Sequence, residues 1–228
     1  MKKIIFGIFA HPDDEAFGPC GALLLETHAG ADLHLITLTN GDAGTNPDNL
    51  KNLGETRLNE WRDAGKLLGA KTMHHLGYKD GQLNNIAMIE ASTRIAALVA
   101  KQLESAPEDA TIEFVTLDLN GYTGHIDHIV AARAASFVFY TLKQNDIRFG
   151  RIKYACFPRQ AVPDVNTAWL YMEPGRLPEE IQETVDARHL QNEILDIMHA
   201  HHTQRGDGMA VIKNQGANLG LNYFVVKD

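Results

Sequence analysis

The sequence predicts an α/β fold in which a mainly parallel β-sheet is covered by helices on both faces. Short apolar runs alternate along the chain with longer segments whose apolar residues recur at helical spacing. Repeated strand–helix–strand units of this kind build parallel sheets. With 228 residues, of which 44% are hydrophobic, the chain is long enough to bury a substantial core.

The chain begins with an apolar run, residues 3–9, which we expect to form a buried strand. Its start imitates a signal peptide, but the run ends at His11, and acidic residues stand where a cleavage site would follow. Residues 15–28 have helical spacing and end before a glycine, which indicates a helix. A second strand is predicted over residues 32–39.

A loop rich in Gly, Asn, Asp and Pro occupies residues 41–54. After it, residues 55–68 carry apolar positions at helical spacing, and residues 71–76 read as a third strand. A glycine-bounded turn at residues 77–81 then leads to a long helical pattern with an Ala/Ile/Leu face over residues 86–103.

The rest of the chain continues the alternation of strands and helices and contains one proline-rich stretch that we expect to be irregular. The predicted elements are a strand at 111–117, a helix at 125–142, a strand at 152–157, the irregular stretch at 158–178, a helix at 179–201 and a last strand at 221–226.

No repeat or low-complexity segment divides the chain, so we expect a single domain over residues 1–228. The fold class is a Rossmann-like three-layer sandwich, and we expect the strand order 3-2-1-4-5. In open sheets of this type, ligands bind beyond the carboxyl ends of the strands, at the point where the strand order reverses.

Composition narrows the classes of partner. The net charge is −8 and no Lys/Arg cluster occurs, which argues against nucleic-acid binding. No apolar stretch approaches the roughly 18 residues of a membrane span, so we expect no stable membrane insertion. Cys20 and Cys156 form no disulfide framework and suit a reducing compartment, so we expect a cytoplasmic protein.

Two polar clusters follow the first and fourth predicted strands, which the expected strand order makes neighbours. His11, Asp13 and Asp14 follow the first strand, and His125-Ile-Asp-His128 follows the fourth. The pair His11 and Asp14 and the pair His125 and His128 each have i, i+3 spacing, which puts both members on one helix face. Two imidazoles and a carboxylate are the ligand set of a catalytic zinc site, and a neighbouring carboxylate such as Asp13 suits a general base.

Each cluster by itself also has a structural interpretation. The run from Asp13 to Glu15 complements the positive end of a helix dipole, and we expect Glu15 to keep that role. The segment from His125 to His128 suits a helix cap followed by a surface histidine. The arrival of both clusters at the same switch point favours the functional interpretation.

The motif Ala10-His-Pro-Asp-Asp-Glu15, together with His125-Ile-Asp-His128, resembles the PIG-L/LmbE-like family of metal-dependent N-acetylglucosaminyl deacetylases. The similarity continues through Arg57-Leu-Asn-Glu60, Leu76-Gly-Tyr-Lys-Asp-Gly81 and Ala200-His-His-Thr-Gln204. It therefore extends over most of the chain, from residue 4 to about residue 204.

The resemblance implies a role for each matching residue. It makes His11, Asp14 and His128 the metal ligands, Asp13 the general base, His125 the stabiliser or acid opposite it, and Asp127 a partner that orients a histidine. Arg57, Asp80 and Tyr122 are the expected substrate-binding residues. A tyrosine that precedes the Gly-His pair in some members is Thr123 here, with Tyr122 one residue earlier.

The predicted reaction is hydrolysis of the acetamide of an N-acetylated amino sugar or its conjugate, with Zn²⁺ as the metal and Fe²⁺ as the alternative. Either Asp13 or His125 would protonate the departing amine. A non-haem iron enzyme would use the same two histidines and carboxylate, and a metal-binding protein without activity is the other alternative. The family analogy is compatible with a homo-oligomer. A nucleotide enzyme is disfavoured because carboxylates replace the glycine-rich turn after the first strand.

Overall fold

A central sheet of seven strands runs through the described part of the chain, residues 2–162 and 171–228 of the computed structural model. Part of the predicted irregular stretch, residues 163–170, lies outside the described residues. The strands are β1 (Lys3–Phe9), β2 (Asp32–Thr39), β3 (Ala70–Tyr78), β4 (Thr111–Leu117), β5 (Phe149–Cys156), β6 (Glu183–Asp186) and β7 (Leu221–Lys227). The α-helices are α1 (Asp14–Phe17), α2 (Cys20–His28), α3 (Leu53–Leu67), α4 (Asn85–Leu103), α5 (Ile126–Lys143), α6 (Gln191–Ala200) and α7 (Arg205–Gln215).

The strand order is β3-β2-β1-β4-β5-β7-β6, so the predicted order 3-2-1-4-5 is confirmed for the first five strands. These five strands are parallel, whereas β7 pairs antiparallel with both β5 and β6. The reversal of order between β1 and β4 creates the expected switch point, since the chain leaves β1 toward β2 and β3 on one side and returns to β4 on the other.

Two apolar cores, one on each face of the sheet, confirm the α/β sandwich. On one face, α4 and α5 pack against the sheet through residues such as Ile95 and Phe139. On the other face, α2, α3 and α6 contribute residues such as Leu24, Trp61 and Ile197. Helices on both faces explain why the inner strands β1, β2 and β4 are buried along nearly their whole length, whereas the edge strand β3 is mostly half-buried or exposed.

The predicted helix over residues 15–28 is wrong as a single element, because it divides into α1 and α2 at Gly18 and Pro19. Proline has no amide hydrogen and cannot continue the hydrogen bonding of a helix that precedes it, but it is tolerated where a helix begins. The side chain of Asn222 in β7 compensates at the break. Its amide nitrogen donates to the Gly18 carbonyl at 3.1 Å, and its oxygen accepts from the Ala22 amide at 2.8 Å.

The predicted helix over residues 179–201 is also wrong in its first half. Residues Glu183–Asp186 form the short strand β6, in which half-buried and exposed residues alternate, and the helix α6 begins only at Gln191. The helix α7 was not predicted. It contains Gly206 and Gly208, and glycine is a poor helix former, so the sequence signal there is weak. Within the described residues, no helix has the length and apolar character needed to cross a membrane.

Candidate metal centre and active site

The polar clusters that follow β1 and β4 meet at the switch point of the sheet. His11 and Asp14 stand at the end of β1 and the start of α1, and His128 lies in the first turn of α5. The Nδ1 atom of His11 lies 3.0 Å from Nε2 of His128, and the same Nε2 atom lies 3.1 Å from Oδ1 of Asp14. The topology thus brings together side chains more than a hundred residues apart in the sequence.

The second nitrogen of each imidazole has an oxygen partner that fixes where the ring proton sits. Nε2 of His11 lies 3.0 Å from Oδ1 of Asp80 and 3.4 Å from Oδ2 of Asp127, so it carries the proton. Nδ1 of His128 donates to the Gly121 carbonyl at 2.9 Å. In the neutral rings, the lone pairs of His11 Nδ1 and His128 Nε2 therefore face each other.

Asp14 completes this convergence of donor atoms. Its Oδ2 accepts from the amides of Ala10 and His11, each at 3.0 Å, which leaves Oδ1 directed at His128. Oδ2 of Asp14 lies 3.8 Å from His11 Nδ1. Ligands at tetrahedral angles and about 2.0–2.1 Å from a zinc ion are separated by roughly 3.3 Å, and the 3.0 Å and 3.1 Å separations of His128 Nε2 from His11 Nδ1 and Asp14 Oδ1 are close to that value.

Charge balance in this buried cluster is reflected in the pKa values. Burial opposes ionisation of Asp14, but His128 and His11 outweigh it and hold the pKa of Asp14 well below its usual range. Burial likewise lowers the pKa of His11, yet its bonds to Asp127, Asp14 and Asp80 raise that pKa well above the ordinary value. The site therefore stabilises positive charge next to Asp14, which is what a cation site requires.

Two further combinations of donors converge here among the described residues. His11, His125 and His128 each offer a nitrogen within 4.8 Å of the others, as do the donor atoms of His11, Asp80 and Asp127. The carboxylates of the second group already accept backbone amides: Asp127 accepts from Gly81 at 2.8 Å and from Leu83 at 3.2 Å, and Asp80 accepts from Ala43 at 2.9 Å. These bonds suit carboxylates that orient His11.

Asp80, which the sequence predicts to bind substrate, lies beside Asp127 behind the His11 ring. Asp127 was expected to orient a histidine, and its Oδ2 atom lies 3.4 Å from Nε2 of His11. Both carboxylates are buried, with exposed fractions of 7% for Asp80 and 2% for Asp127. Their distance from bulk water makes the bonds to His11 an effective constraint on the ring.

His125 is the N-cap residue of α5, and one of its ring nitrogens caps the helix, as the structural interpretation of the sequence predicts. Nδ1 of His125 accepts from the Asp127 amide at 3.2 Å, which assigns the ring proton to Nε2. Burial, with added repulsion from His128 and His11, lowers the pKa of His125. A neutral ring with a single proton on the nitrogen remote from the cap follows from both observations.

Asp13 lies beside the cluster in a rare backbone conformation, with φ 117° and ψ −23°. Its Oδ2 accepts from Nη2 of Arg57 at 2.7 Å, and both side chains are buried. Arg57 also donates to the Pro12 carbonyl at 2.6 Å and the Gly41 carbonyl at 2.7 Å. Burial raises the pKa of Asp13 to about 6, although Arg57 acts in the opposite direction.

Arg57 and Tyr122 were expected to bind substrate, and both have protein partners in the structure. All the hydrogen bonds described for Arg57 go to Asp13, Pro12 and Gly41, so its guanidinium fixes the loop and the carboxylate beside the cluster. The ring of Tyr122 stacks on Phe157 with 4.1 Å between centroids. Burial raises the pKa of the Tyr122 hydroxyl.

Sequence reasoning missed a buried ion pair next to the cluster. Nε2 of His201 lies 2.9 Å from Oε1 of Glu15, and the exposed fractions of these residues are 1% and 0%. Burial lowers the pKa of His201, but the charge of Glu15 outweighs it and raises that pKa. The only sequence signal was the presence of both residues in stretches shared with the family, and nothing in their spacing pairs them.

Comparison with known proteins gives consistent results. A family model described as PIG-L, GlcNAc-PI de-N-acetylase, matches residues 6–139, which include both clusters. The chain is 25% identical over 219 residues to a probable N-acetyl-α-D-glucosaminyl L-malate deacetylase 2 of Bacillus anthracis, covering 94% of this chain and 87% of that protein.

Two solved structures share the fold over nearly the whole chain. One is the N,N'-diacetylchitobiose deacetylase of Pyrococcus horikoshii, with 18% identity, a TM-score of 0.67, and coverage of 99% of this chain and 82% of that one. The other is a 4-carboxy-2-hydroxymuconate hydratase of Pseudomonas putida, with 13% identity, a TM-score of 0.70, and coverage of 100% and 97%. At these identities, the likeness concerns the fold alone.

Proposed function

This chain belongs to the PIG-L family, and from that membership we propose that it hydrolyses the acetamide of an N-acetylated amino sugar or its conjugate in a zinc-dependent reaction. It is a hydrolytic N-deacetylase, as are the curated relatives. The relatives named above act on an N-acetylglucosaminyl malate and on diacetylchitobiose. We therefore expect a small N-acetylglucosamine conjugate as the substrate of this chain.

One observation carries the metal dependence. The Nδ1 atom of His11 and the Nε2 atom of His128 lie 3.0 Å apart, and Oδ1 of Asp14 lies 3.1 Å from the latter. Two ring nitrogens and a carboxylate oxygen this close together need a positive charge between them, either a shared proton or a metal cation. We assign His11, Asp14 and His128 as the ligands of a divalent ion, with Zn²⁺ as the expected metal and Fe²⁺ as the alternative.

A divalent ion held by these residues would polarise the amide carbonyl and lower the pKa of the attacking water. Asp13 takes the proton of that water, because its carboxylate lies beside the ligand set and has a pKa of about 6, close to the value that suits a general base. Arg57 holds the Oδ2 oxygen of Asp13 and leaves Oδ1 to accept the proton.

His125 stabilises the oxyanion that forms when water adds to the carbonyl carbon. Its Nε2 carries the ring proton, because Nδ1 accepts from the Asp127 amide. The lowered pKa of His125 keeps the ring neutral, so it acts by donating a hydrogen bond. A neutral ring does not readily give up its single proton. We therefore propose that Asp13, protonated in the first step, returns the proton to the departing amine.

The substrate itself is held by residues other than the buried carboxylates. We propose that Asp80 and Asp127 orient His11 and make no contact with the sugar, since both accept backbone amides behind that ring. Arg57 acts on substrate through Asp13. Tyr122 directly follows Gly121, whose carbonyl orients His128. Because of this position next to the proposed metal site, Tyr122 stays a proposed substrate neighbour.

The test is an acetate-release assay on N-acetylglucosaminyl malate and N,N'-diacetylchitobiose, combined with metal analysis of the purified protein. We expect activity that a chelator abolishes and that Zn²⁺ or Fe²⁺ restores, so the two metals are compared directly. The variant Asp13→Asn should keep its metal and lose on the order of 100- to 10,000-fold in kcat.

Asp63→Asn, an exposed carboxylate on the same helix as Arg57, is the matched control and should retain full activity. Near-normal turnover in metal-loaded Asp13→Asn would show that another group is the base. Oxidation of a substrate without acetate release would instead favour the iron enzyme, and a metal-loaded protein that is inactive on every N-acetyl sugar would favour the silent metal-binding protein.

A further inference from the structure

We propose that His201 is a positioning residue for Asp13 and acts through Glu15. The proposal rests on the proposed function in one respect, the assignment of Asp13 as the general base. It gives a role to two buried titratable side chains that no step of the proposed reaction uses. Glu15 lies directly after the ligand Asp14, and His201 lies in the turn between α6 and α7.

A continuous chain of hydrogen bonds connects His201 to the backbone of Asp13. Nε2 of His201 donates to Oε1 of Glu15 at 2.9 Å. The other oxygen of the same carboxylate, Oε2, accepts from the Asp13 amide at 3.3 Å. Because His201 and Glu15 are almost completely buried, water does not compete for these bonds.

Asp13 needs such support because its φ of 117° is rarely adopted by a residue with a side chain. Rare backbone conformations persist only where the surroundings impose them. Three groups of Asp13 are held separately: the amide by Glu15, the carbonyl by the amides of Ala16 and Phe17, and the carboxylate by Arg57. Only the amide contact depends on a residue from the C-terminal part of the chain.

The turn that carries His201 is itself fixed to both sides of the site. Glu60 of α3 accepts from the amide of Thr203 at 2.9 Å and from its hydroxyl at 2.6 Å. Gln204 donates to the Thr45 carbonyl at 2.9 Å. Glu60 is on the same helix as Arg57. The turn therefore fixes His201, which supports the Asp13 amide through Glu15, relative to Arg57, which holds the Asp13 carboxylate.

Removing the imidazole donor should therefore loosen Asp13 and leave the metal ligands in place. Asp14 is held by the amides of Ala10 and His11 and does not touch His201. A misplaced base slows the chemical step without weakening substrate binding, so kcat should fall while KM stays nearly constant. A residue that only stabilises the fold would change neither parameter in the folded protein.

Three variants separate these cases. His201→Phe keeps a ring of similar size but removes the donor, whereas His201→Gln keeps an Nε2 donor for Glu15. His202→Phe makes the same change at the exposed neighbouring position and serves as the matched control. Should His201→Phe fail to fold, the smaller His201→Leu takes its place, with the same results required.

We expect metal-loaded His201→Phe to lose roughly 100-fold in kcat with KM within about twofold of wild type. His201→Gln should recover most of that loss, and His202→Phe should match wild type. Unchanged kcat in folded His201→Phe would overturn the proposal. So would a parallel loss of bound metal and kcat, because the effect would then act on the ligands.

A crystal structure of the His201→Phe variant gives a readout that does not need activity. We expect Asp13 to leave its positive φ and its Oδ2 to move away from Arg57 Nη2, which lies at 2.7 Å in the native chain. If the wild-type protein releases no acetate, the proposed function fails, and this conformational result still decides the positioning role. An unchanged Asp13 conformation in the variant would overturn it.

Discussion

At the scale of single residues, the direction of each imidazole lone pair depends on which ring nitrogen donates a hydrogen bond to a protein oxygen. His11 and His128 present different nitrogens to the centre, Nδ1 and Nε2, because Asp80, Asp127 and the Gly121 carbonyl hold the opposite ones. Partners of this kind fix both the tautomer and the direction of the lone pair. The direction of the proposed ligand atoms is therefore set by residues that would not touch the metal themselves.

Asp127→Asn should weaken metal binding by about 10- to 100-fold, because the amide replaces one of the oxygens that hold His11 and its supporting loop. A chelator competition titration with Zn²⁺ measures the effect. Asp196→Asn, an exposed carboxylate on α6, is the control and should bind as wild type does. Equal affinity in Asp127→Asn and wild type would contradict the orienting role.

At the scale of elements, the break between α1 and α2 lies four residues after Asp14, one of the proposed ligands. Pro19 ends the hydrogen bonding of the first helix, and Asn222 from β7 satisfies the backbone groups that the break leaves open. The Asn222 side chain thus joins the segment that follows Asp14 to the antiparallel edge of the sheet.

Asn222→Ala should destabilise the protein by about 1–3 kcal/mol, because it leaves the buried Gly18 carbonyl and Ala22 amide without their partner. Urea unfolding measures the free energy. Asn218→Ala, at an exposed position in the preceding turn, is the control and should change stability little. Equal unfolding midpoints for the two variants would argue against this role of Asn222.

The elements also show how much the sequence could predict. The apolar runs predicted the first five strands, the common order of such sheets predicted their arrangement, and polar motifs at strand ends indicated His11, Asp14 and His128 as candidate ligands. The strand β6 is four residues long and half exposed, so its pattern was lost within a predicted helix. The pair of Glu15 and His201 was beyond prediction, because 186 residues separate them and only the fold brings them into contact.

At the scale of the whole molecule, the fold alone does not determine the reaction. A deacetylase and a hydratase share it with this chain at TM-scores of 0.67 and 0.70. What assigns the reaction is the set of side chains at the switch point. The fold supplies what both enzymes need, which is a crevice where adjacent strands end and the loops that follow them diverge.

Stability of the whole chain should decline in mild acid through His34. This residue is buried in β2, where its ring stacks on Phe6 and contacts Thr72, and burial lowers its pKa from 6.5 to about 4. The unfolded chain then binds the proton more readily, so stability present above pH 6.5 is lost as the pH falls toward 4. The full effect is on the order of 3 kcal/mol.

The variant His34→Phe keeps the aromatic contact and removes the titration. The midpoint temperature of thermal unfolding should therefore fall less steeply between pH 7 and pH 4.5 for this variant than for wild type. The exposed substitution His202→Phe should leave the slope as it is in wild type. Identical slopes for His34→Phe and wild type would exclude His34 as the source of the acid sensitivity.

The position of β7 has a consequence for the order in which the protein can form during synthesis. Residues 221–227 lie between β5 and β6, and in the described chain β6 pairs with no other strand. Until the ribosome has released this segment, β6 has no neighbour and Asn222 is absent from the loop after Asp14. A nascent chain can therefore assemble the five parallel strands before β7 emerges, but the segment after Asp14 gains its contacts with Asn222 only once β7 has joined the sheet.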